Sequence, residues 1–256
     1  MRPVSLFGSE LRRAREELGW SRDKLAEEIN FSASLVEKVE TGTKPPSVAF
    51  TREADRVLGT EGLLGRIREH LLTQEGLPEW FRSWYEIEQE AAAIWWYELL
   101  LIPGLLQSED YAHALLGGDE SKVSARLERQ EILTRESPPP PELVMLVDER
   151  ALRYPMAGPQ AMRAQLEHIM TVAERYVVQV VPIACGTHLH LDGSFGIGVV
   201  DGREYVYVDT PARGFVLDSP DVLSSMKRRW DLIRAEALPR RQSTELIREV
   251  AEQWTT

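Results

Sequence analysis

The chain has 256 residues, 43% of them hydrophobic, with a net charge of −11 and one cysteine. That size and apolar content support two domains with sizeable cores and exclude a disordered chain, and the lone Cys185 excludes an internal disulfide. The longest apolar runs, such as 95–106, are interrupted by Glu98 and Pro103 and are too short to span a bilayer, and the opening "MRPVSLFGSELRRA" has no signal-peptide core, so a cytoplasmic protein is expected. Residues 1–58 carry ten bases and ten acids, so the remainder carries the whole −11. An acidic body repels DNA, and any DNA contact must come from the front segment.

Residues 8–58 read as a packed set of short helices. "GSELRRAREELG" puts Leu11, Ala14 and Leu18 on one face and stops at Gly19. "SRDKLAEEI" begins with Ser21 as N-cap, and Leu25, Ala26 and Ile29 form its apolar stripe. Asn30 and Phe31 make a tight turn. Ser32 then caps a helix in which Leu35 or Val36, and Val39, recur at helical spacing before Gly42. "KPPS" breaks the chain and "AFTREADRVLG" supplies another helix. Two helices joined by so short a turn make a helix-turn-helix, in which Ala26 is small because the second helix crosses closely over the first.

The stretch "LRRAREELGWSRDKLAEEINFSASLVEKVETGTKPP", with Leu25–Ala26, Ser32, Val36, Val39 and the Glu40–Gly42 ending in register, resembles the phage repressor and Cro family, also called the Xre family. The resemblance implies that Ala33, Ser34 and Lys38 read bases and that Arg22, Ser32 and Lys44 lie near phosphates. Lys24, Leu35 and Glu37 complete the DNA-facing set it implies. It also implies a structural ion pair between Arg15 and Glu40, tying the first helix to the recognition helix. The chain departs from the family pattern at Arg22, commonly Gln, and at Glu37, commonly Ser. Glu37 shares a face with Ala33 and Ser34, and three readings stay open. It accepts a hydrogen bond from a cytosine amino group, or it pairs with a base such as Arg22, or it is a solvated acid that lowers nonspecific affinity.

Beyond this segment, 61–76 reads as a helix joining the domains. "PEWFRSWYEIEQEA" is helical by period, "AIWWYELLL" a strand, "PGLLQ" a turn and "SEDYAHALL" a helix capped by Ser108. "SKVSARLERQEILTR" is an amphipathic helix with Ser121 as candidate cap, followed by the stiff spacer "ESPPPPE". The pattern then alternates. "ELVMLVDE" is a strand, "GPQAMRAQLEHIMTVAER" a helix and "YVVQVVPI" a buried-type strand. "GSFGIGVV" and "REYVYVDT" form a hairpin around Asp201–Gly202, "GFVLDS" adds a short strand, and two helices close the chain. The tryptophans, Trp80, Trp84, Trp95 and Trp96 among them, serve as core or, in an exposed subset, as an interface.

"PEWFRSWYEIEQEA", "WWYELLLIPGLLQSEDYA", "RLERQEIL", "LVDERALR" and "VVQVVPIACGTH" together resemble the effector half of the actinobacterial Scr1-like or WhiJ-like regulators. The run P-G-L-L-Q-x-x-x-Y-A is the most specific mark. This resemblance implies an antitoxin-like transcriptional regulator with a small BldB-like partner protein.

The expected architecture is a multidomain chain. An all-α helix-turn-helix domain covers 1–60, a helical connector 61–78, and an α+β domain with a small sheet flanked by helices 79–256. The expected partners are double-stranded DNA, a second copy of the chain and the small protein, with a small-molecule effector as an alternative and no membrane. A protein whose main task is to sequester a toxin-like partner is the rival reading. "CGTHLHLDG" holds His188, His190 and Asp192, which would share a face in a strand; a partner or ligand rim is favoured there over a metal site. The basic run Lys227 to Arg229 reads as a solvated helix face. No phosphate-binding loop, metalloprotease motif or nucleophile elbow is present, so neither an enzyme nor a cofactor is expected.

Overall fold

The computed structural model describes residues 3–43, 46, 48–74, 77–184 and 189–254. The chain divides into two compact units, Met1–Leu77 and Pro78–Thr256. Among the described residues the first unit holds five helices: α1 (Pro3–Glu17), α2 (Arg22–Ile29), α3 (Ala33–Glu40), α4 (Val48–Leu58) and α5 (Leu63–Gln74). Their apolar stripes converge on one core that includes Phe7, Leu11, Leu25, Ile29, Val36 and Phe50.

Leu18 does not join Leu11 and Ala14 there: it is 47% exposed. The helix stops at Glu17, and Gly19 takes φ 68, a left-handed conformation that turns the chain away. α5 falls in the segment expected as a connector, yet it packs into this core through Leu64 and Ile67. Asp55 of α4 secures its start by accepting from the amides of Leu64 (3.0 Å) and Gly65 (2.8 Å).

The second unit is built on a six-stranded sheet in the order β3-β2-β1-β4-β5-β6. The strands are β1 (Ala93–Glu98), β2 (Glu142–Asp148), β3 (Val177–Val181), β4 (Phe195–Val200), β5 (Arg203–Asp209) and β6 (Gly214–Leu217). β1, β2 and β3 run parallel, and the β4–β6 side is antiparallel. The helices are α6 (Arg82–Glu90), α7 (Glu109–Leu115), α8 (Glu120–Arg129), α9 (Glu149–Arg153), α10 (Pro159–Arg175), α11 (Pro220–Glu236) and α12 (Arg240–Gln253). This is the expected α+β arrangement. β2 lies between two parallel neighbours, which is why its sequence is an unbroken apolar run rather than an alternation.

Asp201 (φ 49) and Gly202 (φ 76) turn the β4–β5 hairpin in the left-handed conformation that such two-residue loops require. The alternate glycines of β4 make room for large rings. A Cβ at Gly196 would collide with the Trp96 ring, and one at Gly198 would sit 2.8 Å from Ile87 Cγ2. Over this bare strand Trp84, Trp96 and Tyr207 cluster with ring centroids 5.4–5.7 Å apart. On the opposite face Trp230 of α11 stacks on Trp95 and meets Phe195 edge-on. The tryptophans of both faces are therefore core-forming.

Two local readings change. Asp119, not Ser121, caps α8, accepting from the amides of Ser121 (3.1 Å) and Lys122 (3.3 Å) while Ser121 lies inside the first turn. α9 is an additional short helix that begins at the cap Asp148.

Beneath the aromatic cluster Glu88 of α6 and Arg129 of α8 form a two-pronged ion pair, both contacts 2.8 Å, with side chains at most 6% exposed. The Trp84 indole N–H also donates to Glu88 (3.2 Å). Removing one member leaves the other charge buried and alone. Glu88→Ala is therefore expected to lower stability by about 3–5 kcal/mol, read from guanidinium denaturation followed by tryptophan fluorescence.

Candidate nucleic-acid interface

The junction between α2 and α3 is defined residue by residue. The Ser21 hydroxyl accepts from the Lys24 amide (3.1 Å) and starts α2. Asn30 ends it in the left-handed conformation (φ 59), where the Asn30 amide donates to Glu27 O (3.3 Å) and the Phe31 amide to Ala26 O (2.9 Å). Ser32 Oγ then accepts from the Leu35 amide (3.2 Å) and opens α3. Val36 and Val39 point into the core. Ser32, Ser34, Glu37 and Lys38 are exposed, while Ala33 and Leu35 are partly buried against the core. α3 thus shows water a face of small and polar residues at its N-terminal half.

Its C-terminal end is anchored. Glu40, 1% exposed at the side chain, receives Arg15 Nε at 2.6 Å and Arg15 Nη2 at 3.1 Å. Arg22 Nε adds a third contact at 2.8 Å, and Arg15 Nη1 donates onward to Trp20 O at 2.7 Å. One carboxylate therefore joins α1, α2 and α3. Gly8 makes the crossing of α1 over α3 close: a Cβ there would lie 2.7 Å from Val39 O and only slightly nearer Glu40 O. The sequence pattern places Gly8 at the start of the first helix, whereas α1 begins at Pro3 and Gly8 lies inside it.

Glu37 meets the same guanidinium. Arg22 Nη1 donates to Glu37 Oε1 at 3.2 Å, so Arg22 is shared between Glu40 and Glu37. The hydrogen bond to Glu40, then the charges of Glu40 and Glu37, raise the Arg22 pKa further above its ordinary value.

The other expected residues are distributed unevenly. Lys24 turns to its own helix, at 2.6 Å from Glu28 and 3.5 Å from Glu27. Lys38 is exposed and makes no ion pair among the described residues. Lys44 lies outside the described residues.

In the second unit, Cys185 and His188 lie outside the described residues, and Leu189–Asp192 is a 3-10 turn rather than a strand. The strand alternation expected there does not extend over Leu189–Asp192. Asp192 instead pairs with Arg229, and Lys227 pairs with Glu204 at 2.7 Å, while Arg228 between them is exposed. Among the described residues no three His, Cys, Asp or Glu side chains gather to hold a metal. No described helix is long and apolar enough to cross a membrane.

A family model described as a helix-turn-helix domain matches residues 6–67. Another, described as a domain of unknown function, DUF5753, matches residues 81–249, about two thirds of the chain. The chain belongs to the DUF5753 family. No curated protein and no solved structure matches it. The helix-turn-helix domain points to a DNA-binding regulator rather than an enzyme.

In this DUF5753 protein the anchoring of α3 can be tested directly. Glu40→Gln should cost about 3–5 kcal/mol, because two guanidinium groups lose their shared counter-charge and one of them is buried. Gly8→Ala should also lower the melting temperature, because the new methyl group meets backbone rather than a side chain that could move. Thermal unfolding of both variants is the check.

Proposed function

We propose that this protein is a sequence-specific, DNA-binding transcriptional regulator of the Xre type, with a cytoplasmic location. The exposed polar face of α3, presented ahead of a buried anchor, carries this reading. Ala33, Ser34 and Lys38 read base edges, and Arg22, Ser32 and Lys44 meet phosphates. Lys24 and Leu35 border the same surface. Glu37 positions Arg22 and reduces its pull on phosphate. A single unit of this kind buries too little on DNA for strong specificity, so two copies bind half-sites about 34 Å apart.

The C-terminal unit dimerises and takes the signal, as in Scr1-like or WhiJ-like regulators, from a small BldB-like partner protein. The net charge of −11 on the residues after 58 supports a basic partner surface. A second reading, signalling by a small molecule, is favoured by a cavity between α8 and α10, described in the next subsection.

The test selects sites from random duplex DNA with the native chain, Lys38→Ala and Glu37→Ser, at two salt concentrations. A two-fold-symmetric motif is expected from the native chain. Lys38→Ala should bind it more weakly. Glu37→Ser should bind all sequences more tightly, with a steeper salt dependence by about one phosphate contact per unit. A motif altered at one position by Glu37→Ser would instead make Glu37 a base reader. A selection that enriches no motif would reject direct operator reading in favour of sequestration of a partner.

A further inference from the structure

The run Pro103–Gln107 forms a 3-10 turn (Gly104–Leu106) whose polar groups are held from three elements. Gln107 Nε2 donates to Ile102 O (2.7 Å). Gln130 Nε2 donates to Gly104 O (3.0 Å) and Gln107 O (2.7 Å), and Gln165 Nε2 of α10 donates to Leu106 O (2.6 Å). The Ser108 amide returns a bond to Gln165 Oε1 (2.7 Å). Behind this turn lies a cavity of about 370 Å³. Leu105 of the turn, Leu127 of α8, Leu133 and Val172 of α10 give it apolar walls.

His168 of α10 lines the same cavity. It is half-buried and has no hydrogen-bond partner among the described residues. Burial lowers its pKa, which keeps the ring neutral, with one nitrogen to donate and one to accept. The charged residues on the wall, Glu131 and Arg175, are of opposite sign, so the lining has no net charge. The volume falls in the roughly 300–1,000 Å³ range of small-molecule sites, which combine apolar walls with a few fixed polar groups.

We propose that this cavity binds a small uncharged apolar molecule carrying one hydrogen-bonding group, which His168 recognises. The proposal deepens the reading of the C-terminal unit as the part that takes a signal. It rests on that reading for its role, but not for the existence of the site.

The probe is N-phenyl-1-naphthylamine, an uncharged fluorophore with a single N–H. Saturable one-site binding to the full chain is expected. Filling the cavity from either side, with Val172→Trp or Leu127→Trp, should weaken it at least tenfold while the circular dichroism stays native. His168→Phe, which keeps the bulk and removes the polar group, should weaken it several-fold. In the native chain, without any variant, the probe should shift the ring resonances of His168 and not those of the other four histidines. No saturable binding, binding undiminished by both folded filling variants, or shifts confined to another histidine would overturn the proposal. DNA binding is measured in parallel. A chain that takes the probe and no DNA keeps this site and loses the regulator reading, and the reverse outcome loses only the site.

Discussion

One carboxylate organises the N-terminal unit. Glu40 is buried at the last turn of α3, where a lone negative charge would be disfavoured by desolvation and by the helix dipole. Arg15 and Arg22 answer both problems, bringing positive charge to the end of α3 that prefers it. Ion pairs of this sort are weak evidence for stability, because an apolar substitute of the same shape often does as well. Their effect here is geometric. A planar guanidinium gripping two oxygens fixes the distance and angle between α1 and α3, and Gly8 lets the helices approach until the backbone itself is in contact. The exposed half of α3 inherits its orientation from that joint.

The C-terminal unit solves its polar interior by the same means. Glu88 is matched by Arg129, the 3-10 turn by three glutamines, and Tyr176 Oη by Leu133 O at 2.6 Å. Among the described residues Gln89 Nε2 and Tyr207 Oη are buried without a partner, and His168, also without one, differs in being only half-buried and in lining a cavity. The sheet shows how aromatic bulk was accommodated. β4 gives up side chains at Gly196 and Gly198 so that Trp84 and Trp96 can lie against its backbone.

Much of this was legible because it is local. Ser21 and Ser32 as caps, the hairpin at Asp201–Gly202 and the strand at 142–148 each depend on a few neighbouring residues, whereas the parallel pairing of that strand is set by partners distant in sequence. What escaped depends on contacts distant in sequence or on competition between near-equal candidates. Ser121 and Asp119 both make good caps, and the carboxylate two residues earlier prevailed. The packing of α5 through Leu64 could not be separated from that of a linker helix by periodicity alone. The tie from Arg22 to Glu37 was one of three open readings, because a surface glutamate gives no local sign of which cation it will meet.

That tie bears on how the unit meets DNA. Several cations of α1 and α2 are already engaged by carboxylates: Arg12 with Glu16, Arg13 with Glu10 and Glu17, Lys24 with Glu28, and Arg22 with Glu37 and Glu40. A phosphate approaching them competes with an acid in place, so each contact yields less than a free guanidinium or ammonium would. Exposed pairs are individually worth only about 0–1 kcal/mol, so the competition weakens attraction without abolishing it. On α3, Lys38 carries a charge not spent in this way. A surface so balanced gains little from nonspecific attraction, which under the proposed function leaves discrimination to base-edge contacts. The proposed pairing of two copies follows from the same balance, since a second half-site would add specificity that the backbone contacts of one copy do not supply.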